Sequence, residues 1–272
     1  MTIGFSRRMG AVLTVLFMAG TSAPPITVAA TPAAQPAKPV ISEEASAALL
    51  KMGQTLRAQQ FAFQAKTIRV YSDANGDPLH IFHTLKVTVD RPSRAMGEIT
   101  GDDGSAKLTF DGKTLTLYSA AENKYVSVPI PEGTIEGMLK EAEGRLGVDF
   151  PLADFLSEAP NKAFLTGVTS GRVVNTVTID NAPYLHLFFS QPPGIDLELW
   201  VEKSDRALPR RLIVTYRSLQ GQPNFIAEFS DWNFSIHPSD ADFTFEPPPG
   251  AVQVALKPSA ATPPTKGKGS KQ

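Results

Sequence analysis

The sequence predicts an α+β fold: a single curved antiparallel β-sheet, an incomplete barrel, covered by a few helices. Three observations lead there. Long stretches of the 272-residue chain alternate apolar and polar side chains, the period of two that leaves one strand face dry and the other wet. These stretches follow one another across short turns, which suit antiparallel neighbours and are too short for parallel crossovers. Helical periodicity appears near the beginning and near the middle only, so the order is helix, meander, helices, meander. A sheet of that many strands curls towards a barrel, and helices over its open side would enclose a cavity. No internal repeat and no second domain boundary is visible.

Composition narrows the class. Hydrophobic residues make up 42% and charged residues 19%, the balance of a globular chain and not of a disordered one. The formal net charge is −1, without the basic footprint that nucleic-acid binding leaves. There is no cysteine, which excludes thiol catalysis, disulfides, cysteine-ligated zinc and lipid attachment through a thiol.

At the start, Arg7 and Arg8 precede an apolar run over residues 9–19, and small residues follow to Val28-Ala29-Ala30. Basic, apolar, then small is the layout of a secretory signal, with cleavage expected near Ala30 and a periplasmic destination. The run is short for a membrane span, which needs roughly 20 apolar residues. An uncleaved anchor is the other reading. Residues 31–41 form a Pro/Ala-rich linker with no means of building a core.

A helix follows. Ser42 is a natural N-cap, Glu43 and Glu44 suit the positive end of the dipole, and Ala45, Ala48, Leu49, Met52 and Leu56 make one apolar stripe. The period then changes to two. Strands are expected over residues 61–71 and 79–89, joined by Asn75-Gly76, then over 94–100, and through Leu108 and Phe110 into the tight turn Asp111-Gly112. Leu115 and Leu117 return, and residues 125–128 complete the first meander. Ile135, Met138, Leu139, Ala142 and Leu146 describe a second amphipathic helix, closed by Gly147. Pro151 is expected to open a short helix through Phe155 and Leu156.

Strands resume over 168–179 and 184–190. In the hairpin over residues 195–216, Ile195, Leu197, Leu199 and Val201 alternate with Asp196, Glu198, Trp200 and Glu202, and Leu212, Val214 and Tyr216 answer them. Pro209 cannot donate to a ladder and belongs at the strand mouth or a bulge. A further strand is expected over 225–234, and a brief last one carrying Phe243 and Phe245. Beyond Lys257 the composition is that of a disordered basic tail.

Several of these segments resemble the LolA/LolB-like lipoprotein-carrier superfamily. Phe110-Asp111-Gly112-Lys113-Thr114-Leu115, Tyr118 and Asn123-Lys124-Tyr125 match a hairpin of those carriers. The nearer resemblance is to a group of predicted periplasmic proteins of unknown function beside them. It rests on Pro151-Leu152-Ala153-Asp154-Phe155-Leu156, on Trp200 with Leu208-Pro209-Arg210, and on Asp231-Trp232-Asn233 followed by Phe243-Thr244-Phe245, Pro248 and Gly250-Ala251. It covers nearly all of a domain drawn over 42–256, between the linker and the tail 257–272. The resemblance implies a half-open barrel with helices as a lid, an apolar interior for acyl chains, and no catalytic residues. The carriers' gating arginine has no counterpart in these motifs.

Candidate chemistry is sparse. His80 and His83 lie on opposite faces of a strand, where metal ligands cannot converge. His186 sits between two leucines with no cysteine or obvious carboxylate beside it, and His237 precedes Pro238 in a loop. Asp196, Glu198 and Glu202 share a strand face that reads as solvated. No nucleophile elbow, phosphate loop or zinc-protease motif occurs, so no metal, no cofactor and no enzymatic activity are expected. The functional expectation rests on Leu85, Val87, Leu115, Leu117, Leu187, Leu199, Leu212 and Val214. They fit the wall of an apolar cavity or a filled core under the helices; the resemblance favours the cavity. The expected function is a periplasmic carrier or binding protein for an acyl chain, lipoprotein or other apolar ligand, with envelope proteins as further partners. The alternative is an envelope sensor or scaffold that binds a protein through the same sheet.

Overall fold

In the computed structural model, residues 40–73, 75–148 and 150–255 are described. The expected signal, most of the linker and the basic tail lie outside them. Strand β1 (Val40–Ile41) and helix α1 (Glu43–Leu56) come first. The first meander is β2 (Gln60–Ser72), β3 (Pro78–Asp90), β4 (Arg94–Gly101), β5 (Gly104–Phe110), β6 (Thr114–Ser119) and β7 (Lys124–Pro129). Helices α2 (Ile135–Gly144), α3 (Ala153–Leu156) and α4 (Pro160–Phe164) follow. The second meander is β8 (Ser170–Ile179), β9 (Ala182–Gln191), β10 (Ile195–Glu202), β11 (Pro209–Tyr216) and β12 (Asn224–Asn233). A turn of helix, α5 (Asp240–Phe243), and β13 (Val252–Gln253) complete the described chain.

These strands form one sheet in the order β1-β8-β9-β10-β11-β12-β2-β3-β4-β5-β6-β7-β13. Each meander is antiparallel throughout, and β12 pairs antiparallel with β2 to join the two. Only the outermost strands are parallel: β1 to β8 and β13 to β7. The two ends of the order do not pair, so the barrel stays incomplete, as the sequence predicts.

The turns form where the sequence marks them. Gly112 has φ +93°, a conformation that costs a side-chain-bearing residue energy. The Asp111 carboxylate accepts from the backbone N–H of Lys113 at 2.8 Å and of Thr114 at 2.7 Å. Pro209 pairs with Val201 beside a bulge at Arg210, a place that suits a residue without an N–H.

Helices α1 to α4 lie on one face. Ser42 caps α1 by accepting from the N–H of Ala45 at 3.3 Å, and the stripe Ala45, Ala48, Leu49, Met52 and Leu56 is buried. Thr134 caps α2 through the N–H of Gly137 at 3.1 Å, and Gly147 past its end has φ +64°. Helix α3 begins two residues after Pro151. Helix α4, which periodicity did not predict, has Pro160 in its first turn, where a missing N–H costs nothing. It crosses α1 closely: a Cβ on Gly53 would lie 2.8 Å from that of Asn161.

One strand expectation is overturned. Phe243 and Phe245 are not on a strand. The Ser239 N–H donates to the Asp242 carboxylate at 2.7 Å, which starts the helical turn α5, and Pro247-Pro248-Pro249 lack the N–H groups a ladder needs. The last strand is β13 instead. By strand alternation this segment lies on the face opposite the main helices, with Phe245 against Tyr118 and Tyr125 at ring separations of 5.6 and 5.0 Å.

Candidate functional site

The concave face is mostly apolar, interrupted in one row by Thr67 and His83, and strand register explains which of its residues meet. Leu187, Leu199 and Leu212 are direct cross-strand partners on β9, β10 and β11. Val214 pairs with Leu197 beside them. In the other meander Leu85 and Val87 lie on β3, and Leu115 and Leu117 on β6. Between these groups runs the seam of β12 and β2, whose inward residues alternate small Ala227 and Ala65 with bulky Phe229 and Phe63, all buried. All eight residues singled out from the sequence therefore share one face, in two groups of four. Leu117 is half-buried; the others belong to one buried cluster with Leu49, Met52 and Leu56 of α1, Ile135 and Met138 of α2, and Phe155 of α3.

Aromatic side chains tie the helices to the sheet. Phe229 on β12 has ring centroids of Phe63, Phe155 and Trp232 at 5.8, 5.1 and 5.9 Å. Phe63 stacks on Trp232 at 4.6 Å, and the Trp232 indole N–H donates to the Pro209 carbonyl at 3.2 Å.

A cation enters this apolar layer. Arg91, just past β3, donates from Nη1 to the carbonyl of Leu156 at 2.7 Å and from Nη2 to the carbonyl of Leu56 at 3.1 Å. These are the last residues of α3 and α1, whose terminal carbonyls have no partner within their own helix. The guanidinium also lies 5.7 Å from the Phe61 ring centroid. Burial pushes its pKa down, and the nearby carboxylates of Glu136 and Glu158 counter that. Its Nε is buried without a hydrogen-bond partner among the described residues. A single side chain thus joins two helices of the cover. Sequence reasoning missed it, because Arg91-Pro92 reads only as the end of a strand.

Asp154 and Glu136 bring two carboxylates of the cover within electrostatic reach of one another. Burial, reinforced by Glu136, raises Asp154 of α3 from 3.8 to about 6. Glu136 accepts from the backbone N–H of Glu158 at 2.7 Å. Because the folded chain binds the Asp154 proton more tightly than the unfolded one, this group favours folding at low pH. That contribution is lost as pH rises from about 4 through about 6. Asp154→Asn should therefore stabilise the protein by about 1–3 kcal/mol near neutrality and by nothing below about pH 4. Urea unfolding at the two pH values checks this; an equal effect at both removes the carboxylate as its cause.

The remaining candidates sort by face. His83 donates from Nε2 to the Asp103 carboxylate at 2.7 Å and lies over Gly101, where a Cβ would come within 2.3 Å of the ring. His80 points the other way. His186 does have a carboxylate, contrary to the sequence reading: Glu198 is 2.8 Å from its Nε2. Its ring stacks on Trp200 at 4.0 Å, and Arg211 lies over the same indole at 5.3 Å. Register explains the pair: His186 is opposite Trp200, and Glu198 reaches it diagonally. Asp196 pairs with Arg217 at 2.6 Å. This outer face is laced with cross-strand ion pairs. Among the described residues no three His, Asp or Glu converge for a metal ion, and no helix is long and apolar enough to cross a membrane.

Comparison with known proteins sets this architecture in context. An uncharacterized conserved protein from Thermus thermophilus superposes with a TM-score of 0.46 at 12% identity, covering 78% of this chain and 99% of that one. The lipoprotein LppX of Mycobacterium tuberculosis gives 0.42 at 15% identity, over 72% and 99%. A LolA superfamily protein from Nitrosomonas europaea gives 0.36 at 13%, over 74% and 98%. At these scores no ligand or partner carries over. No curated protein matches the sequence. A family profile does, over residues 45–257, which takes in both meanders, the helices between them and the residues around Arg91. The chain belongs to the family described as predicted periplasmic protein (DUF2092).

Proposed function

We propose that this periplasmic protein is a non-catalytic carrier or binding protein for an acyl chain, a lipoprotein's lipid or another apolar ligand. The ligand lies between the concave sheet and its helices, against Leu85, Val87, Leu115, Leu117, Leu187, Leu199, Leu212 and Val214. The observation that carries this reading is the apolar face under a cover whose helices α1 and α3 are joined through Arg91. Arg91 is the latch: it holds α1 and α3 through two carbonyls, and a ligand enters when those bonds open. Leu49, Met52 and Phe155 occupy the space in the closed state, so a guest must displace them. Each methylene it buries offsets that by about 0.8 kcal/mol. Mass spectrometry of small molecules extracted from protein purified from its own envelope tests the proposal. A bound lipid, displaced by a fluorescent fatty acid, is the expected result; no extracted lipid and no uptake of the probe would sink it.

A second reading has its own observation. The β2–β3 hairpin outruns its neighbours, since β12 reaches only Arg69 and β4 only His83. Leu79 and Phe82 on this extension are 52% and 53% exposed. Such a protruding apolar tip suits a protein partner. Crosslinking from Phe82 in cells should then retain one specific envelope protein, and lipid transfer between vesicles should be absent.

A further inference from the structure

On the face away from the main helices, Thr109, Thr116 and Ser127 form one cross-strand row on β5, β6 and β7. Thr116 and Ser127 hydroxyls are 2.9 Å apart, and Thr109 and Thr116 are only 2% and 5% exposed. What covers them is the segment from α5 to β13. Arg94 anchors it by binding the carboxylates of Asp90 and Asp240 while its guanidinium lies 4.9 Å from the Phe243 ring centroid. At the far end β13 pairs with Lys124 and Tyr125.

The cover does not lie flush. Beneath it is a hollow of about 300 Å³, lined by the three hydroxyl side chains together with Tyr125, Phe245 and Gln253. A second hollow of about 410 Å³ adjoins it through Ser127 and Gln253 and continues to Arg145. Pockets for small ligands begin at about 300 Å³, so one ring fits the first and a linked second ring could extend into the next.

The lining selects the chemistry. Hydroxyls and an amide both donate and accept, as a polyol requires, and the Thr116–Ser127 pair keeps lone pairs for a guest's hydroxyl. Asp111 contributes a carboxylate to the first hollow and no lysine or arginine lines it, which disfavours an anion. Phe245, half-buried at the edge of the hollow, supplies a flat apolar wall for the C–H face of a pyranose. We propose that this hollow is a saccharide site, taking a neutral, hydroxyl-rich sugar, separate from the apolar interior.

Saturation-transfer NMR and calorimetry on the full chain test this with glucose, N-acetylglucosamine and its β-1,4-linked dimer, with glycerol as a control. At least one sugar should bind saturably, and the double variant T116V/S127A should bind it about tenfold more weakly, the loss expected for one or two hydrogen bonds. Gln253→Ala, at an exposed position outside the packed row, should weaken it too with the melting temperature unchanged. The proposal is overturned if no sugar saturates, if glycerol binds as well as the sugars, or if both variants bind like the parent.

Discussion

Phe229→Ala is expected to remove about 4 kcal/mol of stability, the largest loss from any single truncation proposed for this protein. Phe229 is 1% exposed. It stands on the seam strand β12 and touches both its own sheet, through Phe63 and Trp232, and the helical cover, through Phe155. Truncation leaves a cavity that neither layer can fill by relaxing, because each is held by strand pairing or by Arg91. Denaturant midpoints measure the effect. A loss under about 1 kcal/mol would mean that the helices do not rest on the sheet through this cluster.

Arg91→Met is expected to have the second effect, a loss of about 2 kcal/mol confined to the cover. Two charge-assisted hydrogen bonds of roughly 1.5–3 kcal/mol each disappear. Relief of burying a cation with an unsatisfied Nε offsets part of that. Lysine should recover less than half, since an ammonium cannot fork between the Leu56 and Leu156 carbonyls as a guanidinium does. Hydrogen exchange is the discriminating measurement. The amides of α1 and α3 should exchange faster while those of β2 and β12 do not, and a bound fatty-acid probe should leave faster. Uniform loss of protection across sheet and helices would make Arg91 a general stabiliser and not a latch.

The contrast between Arg91 and the strands shows what the sequence could carry. Strand residues announce themselves by period: Leu85 and Val87, or Leu197 and Leu199, sit where alternation puts them. The caps Ser42 and Thr134 are local too, each acting within three residues of itself. Arg91 acts on carbonyls far along the chain in both directions, and nothing in Arg91-Pro92 encodes that. The His186–Glu198 pair was hidden for the same reason, since cross-strand neighbours depend on register. Phe243 and Phe245 misled because two aromatics at a spacing of two imitate a strand, while Ser239 and Asp242 write a helix start beside them. The faces were legible; the contacts between distant elements were not.

The seam between β2 and β12 has a consequence in time. Strand β2 is made early and finds β3 at once across a short turn, but its other edge waits for residues near Phe225 to pair with residues near Arg69. Contacts this distant in sequence form late, and an unpaired strand edge invites wrong partners. During synthesis and export, most of the chain must pass before that edge is covered. The same seam that centres the finished sheet is therefore its longest-exposed flank while the protein is being made.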